Sequence, residues 1–108
     1  MIRGDVVTIA MQGDFGKPRP ALVIQSDPIN EHVTVTVLLV SSALVDAPLF
    51  RVTIQPTPVN GLQIPSQVLV DKAMTVKRDT LGEVFGSASD ASMLEIGRCL
   101  AVFLGIAR

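Results

Sequence analysis

The stretch Val33-Thr34-Val35-Thr36-Val37-Leu38-Leu39-Val40 carries the clearest structural signal in the chain. Valine and threonine alternate first, and the run then becomes wholly apolar. β-Branched residues at a period of two specify a strand, and the apolar second half specifies burial on both faces. Turn formers bound the run, with Ser26-Asp27-Pro28 before it and Ser41-Ser42 after it. Working outward, the same pattern predicts strands over Asp5–Met11 (DVVTIAM), Ala21–Gln25 (ALVIQ), Phe50–Ile54 (FRVTI), Gln67–Val70 and Leu81–Phe85. Gln12–Pro20 and Ser41–Pro48 read as loops. Gln55–Pro65, with three prolines and a glycine, reads as a longer one.

The period changes near the C-terminus. Met93, Ile96, Leu100, Phe103 and Leu104 recur three or four residues apart from Ser87 onward, which predicts one helix with a single apolar stripe. Ser87 or Ser89 suits its cap, Asp90 its first turn and Gly105 its end. Gly97, mid-helix, costs about 1 kcal/mol relative to alanine and fits close packing against a strand. Strands come first and the helix last, so a doubly wound parallel sheet is excluded. The expected fold is mainly β: a twisted antiparallel sheet or small barrel with the C-terminal helix packed on it, forming a single domain over residues 1–108.

The totals narrow the function. The chain has 108 residues, 48% hydrophobic and 18% charged, with a mean hydropathy of +0.48. A core of ordinary domain size is within reach, and part of the apolar excess fits an interface between copies. A single cysteine, Cys99, and a single histidine, His32, exclude a disulfide framework and a His/Cys zinc cage. No apolar run approaches the roughly 20 residues of a membrane span, and the first residues lack a signal peptide's apolar stretch. The expected compartment is the cytoplasm. A formal net charge of −1 argues against a DNA-coating protein and leaves room for a small local basic site.

The segment Gly16-Lys17-Pro18-Arg19-Pro20 is the most informative site candidate. Proline fixes its own backbone and pushes the preceding residue out of the helical region. Arg19, enclosed by two prolines, is therefore extended and stiff, and its planar fork matches a phosphate. The ordinary alternative is a rigid turn with a solvated arginine. Ser41-Ser42 offers two hydroxyls at a strand end, suited to a phosphate oxygen or to their own backbone. Asp71-Lys72 offers a carboxylate that suits a base or a partner for Arg19; otherwise it is a surface ion pair. Phe15 and Phe50, at loop edges, are the available stacking surfaces for unpaired bases, or core filler. Phe85 and Phe103 read as core, Cys99 as buried, His32 as a surface residue, and Lys77-Arg78 as a solvated basic pair.

In this order, the pieces resemble the MazF/PemK (Kid) family of toxins. The resemblance is carried by Arg3-Gly4-Asp5-Val6-Val7, Lys17-Pro18-Arg19-Pro20-Ala21-Leu22-Val23-Ile24, Val37 to Ser42 and Pro65-Ser66-Gln67-Val68-Leu69-Val70-Asp71-Lys72. Met74-Thr75-Val76, Leu81-Gly82-Glu83-Val84 and the closing Phe103-Leu104-Gly105-Ile106 complete it. It implies an SH3-like barrel paired as a homodimer. It also implies metal-independent, cofactor-free cleavage of single-stranded RNA at short sequences, and a cognate antitoxin that blocks the RNA groove. DNA would be met only through the antitoxin complex, and no membrane would be involved. Arg19 matches the family's catalytic arginine, Ser41 the position where a catalytic threonine is common, and Asp71 an acidic active-site position. Asp14, Phe15, Lys17, Ser42, Phe50 and Lys72 are the expected RNA contacts. Asp14 and Phe15 replace the family's usual Glu-Gln, and the proline that often precedes the hydroxyl pair is absent.

The expected chemistry uses the 2′-hydroxyl of RNA as nucleophile and leaves a 2′,3′-cyclic phosphate and a 5′-hydroxyl. Arg19 supplies charge stabilisation, Ser41 orients the phosphate, and Asp71 or Asp14 accepts the proton. Two alternatives share the fold: a gyrase poison of the CcdB type acting through the C-terminal helix, and an inactive SH3-like interaction module.

Overall fold

The computed structural model describes residues 1–10, 17–27 and 33–107. Its elements in chain order are β1 (Asp5–Ala10), β2 (Pro18–Val23), β3 (Thr34–Ser41), β4 (Arg51–Ile54), β5 (Ser66–Lys77), a 3₁₀ turn (Arg78–Thr80), β6 (Leu81–Ser87) and α1 (Asp90–Phe103). The strands form one six-stranded antiparallel sheet in the order β4-β5-β3-β2-β1-β6. The mainly β class, the antiparallel sheet and the single C-terminal helix are as expected. The sheet is open and small-barrel-like, with β4 and β6 at its edges.

Two apolar clusters occupy opposite faces. Val6, Leu22, Leu38, Val40, Val52, Val68 and Val70 pack with Ile96 of α1. Val7, Ile9, Ala21, Val23, Val35 and Val37 pack on the other face, with Met74, Val76 and Leu81 against them. No helix among the described residues covers this second cluster, yet Val7, Ala21 and Val37 are fully buried. Met1, Leu39, Met74, Val76 and Leu81 pack against them. The alternation predicted for β3 is therefore real, and its Leu38-Leu39-Val40 end is apolar because both faces are packed there.

β5 is the longest departure from expectation, since the apolar run ends at Val70 and the strand continues to Lys77. Leu38 pairs with Ala73 and Val40 with Val68, so residues 69–72 of β5 face Leu39 alone. This bulge switches the phase of the strand: Val68 and Val70 face the helix side, whereas Met74 and Val76 face the other. A bulge bends its strand: before it β5 pairs with both β4 and β3, and beyond it β5 pairs with β3.

α1 begins at Ser89, whose Oγ accepts the Ser92 N–H at 3.1 Å. Gly105 takes φ +76° just past its end. Ile96 is the helix's fully buried residue, with Met93, Cys99 and Leu100 half-buried around it. Three expectations need correction. Phe85 and Phe103 are 39% and 49% exposed rather than core, because β6 is an edge strand and the helix-side core reaches along α1 only as far as Leu100. Gly97 meets the Arg3 side chain, with no strand against it.

Candidate active site

The β-pairing brings polar residues into one row on the sheet face opposite α1. Thr53 pairs with Gln67, and Gln67 with Ser41. Paired residues project to the same face. Their neighbours Val52, Val68 and Val40 all belong to the helix-side cluster, so the row projects the other way. Arg19 pairs with Ile9, a member of the second cluster, and so projects to that same face. The recorded β2–β3 register runs Ala21↔Leu39, Leu22↔Leu38 and Val23↔Val37; continued by two residues, it brings Arg19 level with Ser41.

The prolines explain why that pairing stops at Ala21. Gly4 N–H donates to Val23 O at 2.8 Å and Ile24 N–H to Thr36 O at 3.1 Å. Odd-numbered residues of β2 thus direct their backbone to β1, and even-numbered ones to β3. Pro18 and Pro20 have no N–H for the β3 side, whereas Arg19 stays paired to Ile9 of β1. The expected extended conformation of Arg19 holds, and it lies inside β2 rather than in a loop. Arg19 and Lys17 are exposed.

Ser41 ends β3. Its Oγ accepts the Ala43 N–H at 3.1 Å, the local backbone use that such hydroxyls favour, and its O–H remains a donor. Beyond it the β3–β4 loop runs through exposed Ser42 to Phe50. Gln67, 5% exposed, ties this loop down. Its Oε1 accepts the Val45 N–H at 3.0 Å, while its Nε2 donates to Val45 O at 2.9 Å and Thr53 Oγ1 at 3.2 Å.

Asp71 lies in the β5 bulge and its carboxylate is ion-paired with Arg51 of β4. Arg51 pairs with Leu69 and projects to the same face as the polar row, with its guanidinium carbon 5.4 Å from the Phe50 ring centre. Phe50 also packs against the helix-side core. Lys72 is exposed. Asp14, Phe15 and His32 lie outside the described residues. Arg51, Gln67 and Thr53 were not singled out from the sequence, although the alternation of Phe50–Ile54 does place Arg51 and Thr53 on one face.

One face thus carries an extended arginine, a hydroxyl at a strand end, a second arginine and a carboxylate. This set can bind a phosphodiester and stabilise charge on it.

Known proteins match the whole chain. A family model described as the PemK-like, MazF-like toxin of type II toxin–antitoxin systems matches residues 2–104. A relative named probable endoribonuclease MazF, from Mycolicibacterium smegmatis, is 44% identical over 108 residues and covers 99% of each chain. Among solved structures, an endoribonuclease in complex with its cognate antitoxin from Mycobacterial species superposes with a TM-score of 0.83 at 25% identity, covering 100% of this chain and 98% of that one. The Mycobacterium tuberculosis toxin MazF-mt6 superposes at 0.82 with 20% identity, covering 96% and 99%. MazE-MazF from Deinococcus radiodurans superposes at 0.78 with 23% identity, covering 99% and 98%. The last two carry the fold alone.

Proposed function

This chain belongs to the PemK-like, MazF-like toxins of type II toxin–antitoxin systems, and from that membership we propose that it is an endoribonuclease that cuts single-stranded RNA at the face holding Arg19, Ser41 and Asp71. The observation that carries this reading is the common projection of Arg19 and Ser41 from β2 and β3, beside the Arg51–Asp71 pair. The endoribonuclease relative and the matched family leave the gyrase-poison and interaction-module alternatives without support.

The RNA supplies its own nucleophile. The 2′-oxygen attacks the adjacent phosphorus, the bond from phosphorus to the 5′-oxygen breaks, and a 2′,3′-cyclic phosphate and a 5′-hydroxyl result. No metal is required for this displacement. Arg19 aims two parallel N–H donors at the non-bridging oxygens as they gain charge, and Ser41 donates its O–H to the same phosphate. The proton leaving the 2′-hydroxyl goes to a carboxylate, and the departing 5′-oxygen takes a proton from solvent water to become the 5′-hydroxyl. Asp71, oriented by Arg51, is one acceptor; Asp14 is the other. Lys17, Ser42 and Lys72, all exposed, contact the RNA backbone, with Asp14, Phe15 and Phe50 at the flanking bases.

The chain acts in the cytoplasm as a homodimer whose RNA face is covered by an antitoxin. DNA is met only through that complex. Support for pairing comes from the apolar exposure along α1, where a groove of about 740 Å³ runs past Met93, Leu94, Ala101 and Val102. Light scattering on the purified chain checks it. No helix among the described residues is long and apolar enough to cross a membrane.

The decisive experiment is cleavage of a long unstructured RNA in EDTA by wild type, Arg19→Ala and Arg19→Lys, with product ends analysed. Wild type leaves cyclic phosphates, the alanine variant leaves the RNA whole, and lysine rescues poorly because the two-pronged contact is lost. Full cleavage by Arg19→Ala overturns the assignment.

A further inference from the structure

We propose that Gln67 is a positioning residue of this site: its buried carboxamide fixes the β3–β4 loop at Val45 and so sets the wall against which the RNA chain lies. The inference rests on the endoribonuclease reading given above.

The loop leaves the sheet at Ser41 and rejoins it at Arg51, so both of its ends are residues of the polar face. Before Phe50, which packs on the helix-side core, its own side chains do little to hold it. Leu44, Val45 and Leu49 are 53%, 50% and 73% exposed. The loop's far end is tied to β5 by the Val70 N–H, which donates to Phe50 O at 3.0 Å; its other recorded hydrogen bonds are local: Ala43 N–H to Ser41 Oγ, and Phe50 and Arg51 N–H to Ala47 O. The middle of the loop is tied to the rest of the fold by Gln67, 22 residues further along the chain from Val45. A carboxamide has the donor and acceptor of a peptide group. Gln67 uses both on the Val45 backbone, as a neighbouring strand would, and its second N–H reaches Thr53 Oγ1. Burying an amide is costly unless it is satisfied, and this one has a partner for each polar hydrogen. The exposed apolar side chains are thereby presented in one arrangement beside Ser41, where an unstacked base has an apolar surface to lie on.

Releasing the loop lowers the fraction of molecules with the wall in place, which weakens substrate binding by that fraction without removing any reacting group. Gln67→Met keeps length and burial and deletes all three hydrogen bonds. The expected result has two parts. Amide exchange at Val45, followed by NMR, speeds up by at least tenfold. On an oligoribonucleotide that wild type cuts, KM rises about tenfold, the equivalent of about 1.4 kcal/mol, while kcat stays within about twofold. Unchanged exchange at Val45 overturns the clamp. Faster exchange with an unchanged KM, or a fall in kcat alone, overturns the positioning role. Val45→Pro removes the Val45 N–H at a half-exposed residue, and it decides the matter should Gln67→Met fail to fold: the same KM rise supports the role, and an unchanged KM overturns it. A wild type that cuts no RNA defeats the nuclease reading and the positioning role with it, whereas Val45 exchange still reports on the clamp by itself.

Discussion

Replacing Asp71 by asparagine separates a carboxylate that moves a proton from one that only holds Arg51. Asparagine keeps the shape and one acceptor oxygen, so the contact from Arg51 changes from a charged pair to an ordinary hydrogen bond. The difference between those classes is about 1–2 kcal/mol. That value fits the setting, because the Arg51 and Asp71 side chains are 15% and 20% exposed. Such a pair lies between exposed pairs, worth about 0–1 kcal/mol, and buried ones, whose breaking costs about 3–5 kcal/mol. A domain of this size is stable by roughly 5–15 kcal/mol, so the variant stays folded. Proton transfer by a positioned side chain contributes about 10²–10⁴-fold to rate. Asp71→Asn therefore loses at least 100-fold in single-turnover cleavage, whereas Arg51→Met, which costs similar stability and leaves the carboxylate, loses less than about tenfold. The assay is single-turnover RNA cleavage, with urea unfolding of both variants and of the double variant. Cleavage by Asp71→Asn within threefold of wild type refutes the proton-transfer role and moves it to Asp14. Stability losses that add to within about 0.3 kcal/mol show that the two side chains are not coupled.

Two further expectations concern the scaffold that holds this face. An added Cβ at Gly86 would overlap the carbonyl of Asn60 and lie 2.9 Å from its Cα. Gly86→Ala therefore costs about 1–3 kcal/mol or more by overpacking and loosens the segment that meets β6 through the Ser87 N–H to Val59 O bond; a urea midpoint equal to wild type contradicts this. Ile96 is fully buried between α1 and the sheet. Ile96→Ala costs about 2–5 kcal/mol and lowers Tm by on the order of 10–25 °C in calorimetry; a shift of only a few degrees would mean that α1 contributes little to the core.

Most of the fold was legible because the Val/Thr alternation of β1 and β3 and the three-and-four spacing of α1 report directly on which side chains are buried. β5 was not, because Asp71-Lys72-Ala73 breaks its apolar run. Only the bulge opposite Leu39, which depends on pairing with a distant strand, allows the strand to resume in the opposite phase. Arg19 stood out through its two prolines, a constraint local in sequence. Arg51 and Gln67 did not. Their roles come from the β4–β5 register and from a loop folding back over the sheet, and a glutamine after a serine reads as an ordinary solvent-facing residue. Phe85 and Phe103 have the spacing of core residues, but they lie where the sheet and the helix run out of neighbours.

The two supports of this face come from different strands. The prolines leave Arg19 paired to β1, while Gln67 holds the loop from β5. Exposed loop residues such as Leu44 and Leu49 can therefore be exchanged while the arginine stays in its place. Descendants of such a chain could acquire new preferred RNA sequences one surface substitution at a time, with the cutting chemistry inherited intact.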